Sequence, residues 1–188
     1  MNTLMRSFIC ATSVATLTLV TTLSTATLAK TPKWTDKSES TIVEFAVGAS
    51  GEPFDFDNNG DDFDILVAAL IATGTIELFD GSDFTVFAPN DQAFYTLTNT
   101  ENDNDAFNAV VDLLDEEGVA AVLAYHVTEG VRNSRSVTRA KKITMLDGNT
   151  INFESGLIIA NQSEAGLTNI DNRLADGMVH VIDTVLVP

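Results

Sequence analysis

Cysteine is almost missing from this 188-residue chain, with Cys10 the single example. That excludes a disulfide framework and a zinc-thiolate centre. Basic side chains are scarce as well. Ten Lys and Arg stand against 27 Asp and Glu, a net charge of −17, and none lies between Ser38 and Gly130. Such a balance repels phosphate backbones and anionic bilayers, so nucleic acid is not an expected partner. No G-x-S-x-G elbow, Walker loop or dinucleotide fingerprint occurs, and spacing singles out no carboxylate pair for glycoside cleavage. An enzyme is therefore not expected. What is present suits a folded domain: 45% of residues are hydrophobic and mean hydropathy is +0.13. At this length one domain with short extensions can bury a core without cross-links.

The first 29 residues read as an export signal. Arg6 is the only charge before Lys30, and the stretch between them is apolar and rich in small residues and Thr. Thr27-Leu28-Ala29 supplies a small-residue cleavage site, placing the cut after Ala29. A membrane anchor fits less well, because this much Thr makes a weak bilayer span. Ile9 precedes Cys10, which lacks a lipoprotein context. Loss of residues 1–29 removes Arg6 and Cys10, leaving nine bases against 27 acids and no thiol nucleophile. The expected product is secreted or periplasmic, and not membrane-embedded after cleavage.

Residues 30–40 read as a flexible lead-in, with ordered structure over 41–188 beginning at TIVEFAV. A helix capped by Asp61 or Asp62 is expected through about Thr73, with Phe63, Leu66, Ala69 and Leu70 on one face and Gly74 at its stop. FTVFAP reads as a buried strand. Asp91 opens a short helix burying Phe94 and Leu97. A further helix runs from Asp105 to Gly118, and Val119–Tyr125 adds another turn. KITML and TINFE flank Asp147-Gly148-Asn149, a hairpin signal, and LIIA and MVHVIDTVLV add strands. Helices in the first half and strands in the second point to an α+β fold.

Two local patterns bear on binding. In FDFDNNGDDFD, Asp55, Asp57, Asn59 and Gly60 occupy positions 1, 3, 5 and 6 of an EF-hand-type loop. Leu66 stands where the bidentate Glu belongs, so Asp61, Asp62 or Asp64 would have to substitute. The pattern gives either a weak calcium site built on Asp55, Asp57, Asn59 and Asp61, or a solvated acidic loop whose last Asp caps the next helix. No other cofactor is indicated. Phe54, Phe56 and Phe63 alternate with these acids and are expected chiefly in the core. Arg132, Arg135, Arg139, Lys141 and Lys142 form the only basic cluster. It either neutralises the acidic half or meets an anionic polysaccharide.

Three stretches in order resemble the fasciclin (FAS1) domain family: FTVFAPNDQAF (84–94), Tyr125-His126 and DGMVHVIDTVLVP (176–188). The opening TIVEFAV and DFDILVAALIATG also fit, so the likeness covers about residues 40–188. It implies a twisted β-sandwich or wedge with helices alongside. It also implies a non-enzymatic extracellular role in adhesion, through a cell-surface or matrix protein or polysaccharide. The alternative is an envelope module binding carbohydrate or a small ligand, with or without calcium. Self-association stays open. Asn90, Asp91, Tyr125, His126 and His180 sit in the matching blocks, where the resemblance implies a structural polar core, with His126 held from around Asn90 and Asp91. The family usually has Asn-Gly at Asp176-Gly177. Asp171-Asn172 stands where animal members carry an integrin-associated Asp-Ile pair, and no Arg-Gly-Asp occurs, so integrin binding is not expected.

Overall fold

The computed structural model describes residues 38–51, 54–78 and 83–188. The leader expected over 1–29 and most of the lead-in therefore lie outside the described residues. Helix α1 (Ile42–Ala49) starts at a capping box: Thr41 Oγ1 accepts Glu44 N–H, and the Glu44 carboxylate accepts Thr41 N–H. Two orphan donors are satisfied at once, which lets eight residues hold a helix end. A second pin comes from far along the chain, where Asp176 Oδ1 accepts Ile42 N–H at 2.8 Å. Helix α2 (Asp64–Ala72) is followed by a 3-10 turn at Thr75–Leu78. Then come β1 (Phe84–Pro89), α3 (Asp91–Thr98) and α4 (Asp103–Tyr125).

The second half supplies β2 (Val127–Glu129), the short α5 (Ser134–Arg139), β3 (Ile143–Thr144), β4 (Thr150–Glu154), β5 (Leu157–Ile159), β6 (Glu164–Leu174) and β7 (Gly177–Ile182). The seven strands form one mixed sheet in the order β2-β1-β7-β6-β5-β4-β3, with β1 and β7 parallel and every other pair antiparallel. The expected α+β class is the one observed.

Strand alternation divides the core in two. Val86, Ala88, Val179 and Val181 turn toward α1–α4 and join Phe63, Leu66, Phe94 and Leu123. Phe87 and Ile182 turn the other way and meet Ile143, Ile151, Ile158 and Ala165 of β3–β6, with Tyr125, Val137 and Leu186. One end of the sheet thus folds over the far face of the β1–β7 pair, giving the sandwich-like wedge. Strand β6 serves both halves, pairing with β5 through Glu164–Gly166 and with β7 from Leu167 to Leu174. Its pairing with β7 slips on both sides of Asn169, and Asp171 is left-handed at φ 63°. Bulges of this kind bend a strand enough to turn such a corner.

Several local expectations move. Neither Asp61 nor Asp62 caps α2: its first flanking residue is Phe63, which has no side-chain acceptor to offer. Asn102 caps α4, so that helix starts two residues earlier than Asp105. Its interruption falls at Asp115 (φ 52°, ψ 178°), whose Oδ1 accepts Gly118 N–H and restarts the helix, so Gly118 is helical and no terminator. Leu97 faces solvent. KITML shrinks to a two-residue strand, because Leu146 N–H leaves the hairpin and donates to Val127 O.

Candidate functional site

Where α2 and α3 begin, four aspartates are buried side by side: Asp62, Asp64, Asp91 and Asp103. The carboxylates of Asp64, Asp91 and Asp103 each accept a backbone donor. Asp91, first residue of α3, turns its carboxylate onto the neighbouring helix, where Oδ2 accepts Asp64 N–H (2.9 Å) and Oδ1 accepts Ile65 N–H (3.0 Å). It therefore supplies from across the fold the cap that Phe63 cannot. Asp91 N–H in turn donates to Asp62 O, and Gln92 N–H to Gly60 O. Asn90 caps α3 itself through Ala93 N–H.

The acidic loop wraps the other side of Asp64, whose carboxylate accepts Asp55 N–H (3.3 Å) and Asp57 N–H (3.4 Å). Asp103 accepts Asn58 N–H at 2.7 Å and the Tyr95 hydroxyl at 2.5 Å. Phe54 stacks on Phe56 with ring centroids 4.8 Å apart, and Phe56 reaches Phe107 of α4, which closes the loop onto the helices. Phe63 is buried. Phe54 and Phe56 are half-buried, so of the alternating aromatics only Phe63 lies fully in the core.

None of the hydrogen bonds that these four carboxylates accept comes from Lys or Arg. Buried anions without cations hold protons more tightly. Burial pushes Asp91 up to about 9, helped by its hydrogen bond with Asp62 and by the charge of that neighbour. Asp64 rises to about 6 through burial and the charge of Asp62, against the two backbone donors that oppose the shift. Asp62 is raised, again mainly by burial. Burial and the bond to Asp103 likewise raise Tyr95. Burial and the neighbouring Asp62 carboxylate thus favour a proton on Asp91. The cluster can hold that proton or a hard cation.

Of the loop residues in the calcium pattern, Asp55 and Asp57 bring carboxylate oxygens within 4.8 Å of one another and of Asp64. Asp61 falls outside that group, and Asn59 spends its side-chain oxygen on Asp61 N–H. A second group, Asp62, Asp64 and Asp91, has the same spacing and lies wholly inside. The sequence offers Asp62 as a helix cap or substitute loop ligand and Asp91 as a helix start in the structural polar core, and singles out neither Asp103 nor Tyr95. The available signal was the absence of any base from Ser38 to Gly130, which denied these acids a partner nearby in sequence.

Both histidines are spoken for by the backbone. His126 Nδ1 donates to Val122 O (2.7 Å), and its Nε2 accepts Leu186 N–H (2.9 Å). It does not meet Asn90 or Asp91, which serve the helix caps instead. Burial lowers it to about 4, so it is neutral. His180 Nε2 donates to Arg132 O and its Nδ1 accepts Asp171 N–H; burial lowers it too. Tyr125 donates to Thr150 O and accepts Asn161 N–H. Phe87 N–H donates to His126 O, so the Tyr-His pair is bonded to β1 on one side and to the C-terminal block on the other.

That convergence of three separate stretches on one core has a counterpart in known proteins. A family model, the fasciclin domain, matches residues 61–188. The chain belongs to the fasciclin domain family. Among curated proteins it is similar to transforming growth factor-beta-induced protein ig-h3 of Sus scrofa, 28% identical over 67% of this chain and 18% of that one. It is also similar to protein sll1483 of Synechocystis sp., 29% identical over 80% of this chain and 75% of that one. With human periostin it shares 28% identity over 71% of its length, spanning 15% of that protein. The chain thus spans under a fifth of ig-h3 and of periostin, and three quarters of sll1483. Among solved structures it matches a domain pair from the insect cell adhesion molecule Fasciclin I. The TM-score is 0.56 at 14% identity, over 79% of this chain and 51% of that one, which bears on the fold.

Proposed function

We propose that this fasciclin-family protein is a non-enzymatic adhesion or surface-binding protein, secreted or periplasmic, that engages a cell-surface or matrix component through its folded face. The observation carrying this reading is family membership together with the likeness to a solved cell adhesion molecule. The site chemistry agrees with it, since both histidines have each ring nitrogen tied to backbone and are unsuited to act as bases. Among the described residues no helix is long and apolar enough to cross a membrane.

An apolar surface is available on α2 and α4. Ala69, Ala72, Phe107, Val110, Val111 and Val119 line a recess between them, and Ile71, Val111 and Leu113 of the same helices are exposed. Leu113 is 70% exposed, more than the core-facing pattern of α4 requires. The Asp171 carboxylate accepts Ser134 N–H and Oγ–H at 2.6 and 2.7 Å, which ties it to the start of α5.

The alternative, an envelope polysaccharide-binding module, is favoured by a different face. Arg135, Arg139, Lys141 and Lys142 are exposed on α5 and the turn after it, and among the described residues their side chains make no hydrogen bond. Binding of the purified protein to cells, matrix proteins and anionic polysaccharides separates the two readings. Adhesion through the helical face predicts saturable binding weakened by Leu113→Ser with Val111→Ser. Polysaccharide binding predicts loss in Arg135→Glu with Arg139→Glu and a steep salt dependence. Binding to none of these surfaces would overturn both.

A further inference from the structure

The buried half of the carboxylate cluster carries more than helix capping. Asp62 is 6% exposed, and its Oδ1 is buried without any hydrogen-bond partner. A buried acceptor left unmet costs about 1–3 kcal/mol, and more when it is charged. Asp62 nevertheless offers an oxygen within 4.8 Å of oxygens from Asp64 and Asp91. Three converging carboxylates, one of them short of a donor, with no base among their hydrogen-bond partners, describe a cation site. A cage made of protein carboxylates suits calcium, which accepts flexible oxygen coordination, better than magnesium, which sheds its waters reluctantly.

We propose that Asp62, Asp64 and Asp91 bind one calcium ion at the joint between α2 and α3. Asp55 and Asp57, which meet Asp64 from the solvent side, form the entry to the site. The ion takes one oxygen from each of the three carboxylates. It ties the starts of two helices through Asp64 and Asp91 without displacing their backbone donors, because each carboxylate oxygen has a second lone pair. This site differs from the EF-hand pattern in the sequence. It keeps Asp55 and Asp57 at the rim and puts the ligands deeper, on Asp62, Asp64 and Asp91.

The test uses the full chain and calcium alone. Titration calorimetry should give one ion per chain with half-saturation at or below about 10⁻³ M. At a hundredfold excess over the dissociation constant, Tm should rise by about 5–10 °C over the chelated protein, and magnesium should do less. Asp62→Asn should lose the calcium-dependent rise, while in chelator its Tm equals or exceeds that of the parent, since a buried unpaired charge is gone. If that variant does not fold, the one-ion stoichiometry and the calcium-over-magnesium preference of the parent still decide. Absence of a saturable heat and of a Tm rise in the folded parent would overturn the site. So would a rise that survives Asp62→Asn and disappears in Asp55→Asn with Asp57→Asn, which would place the ion on the exposed loop.

Discussion

At the scale of single residues, His126 shows how a titratable side chain becomes structural. Its Nδ1 donates to Val122 O, its Nε2 accepts the N–H of Leu186, 60 residues further on, and its carbonyl accepts Phe87 N–H. His126→Ala should cost about 3 kcal/mol in urea unfolding, from two lost buried hydrogen bonds and a cavity, and leave ligand affinity unchanged at temperatures where the variant is folded. The pH sign follows from the lowered value of about 4. Above its unfolded value near 6.5 the imidazole is neutral in both states. As pH falls from there toward 4, the unfolded chain binds a proton that the folded protein refuses. The stability advantage of the parent over His126→Gln should therefore shrink by up to about 3 kcal/mol across that window. An advantage that stays constant would show the ring to be accessible. The identity of this residue as core was legible in the sequence through its block. Its partners were not, because Leu186 lies 60 residues away and the apparent neighbours Asn90 and Asp91 are used by helices.

Elements tell a similar story of long-range caps. The starts of α1 and α2 both receive a carboxylate from a distant segment, Asp176 in one case and Asp91 in the other. Hydrophobic spacing announced α2 and left TIVEFAV without a helix assignment, and no periodicity reveals a cap delivered 27 residues later. That is why Asp61 and Asp62 looked like the natural cap of α2. Within α4, Asp115 occupies a conformation that favours glycine, yet it also caps the second segment through Gly118 N–H. Relief of backbone strain exceeds the few tenths of a kcal/mol lost when a cap becomes Gly. Asp115→Gly should therefore stabilise the protein by about 1 kcal/mol in equilibrium denaturation. Gly177 is the reverse case. A Cβ there would sit 2.2 Å from Phe84 O, where β7 runs beside β1. Gly177→Ala should cost about 3 kcal/mol or more by prising that central pair apart, measured by the same method. Asp-Gly reads locally as a turn; the close approach that demands Gly belongs to the parallel pairing.

For the whole molecule, the unequal distribution of charge is the organising fact. A first half without a single base between Ser38 and Gly130 folds with four aspartates inside, and the bases of α5 stay on the surface. The α+β class, the central strands and the family were readable because period, turn residues and three ordered blocks each report locally. Which acids would be buried was not readable, since burial is decided by how α2, α3 and the acidic loop meet. The function proposed for this fold is binding to a surface. The most direct measurement is an isotherm of labelled, folded protein on intact cells, with unlabelled protein as competitor. A saturable curve that the competitor abolishes is the expected result. Uptake that rises linearly and ignores the competitor would contradict it.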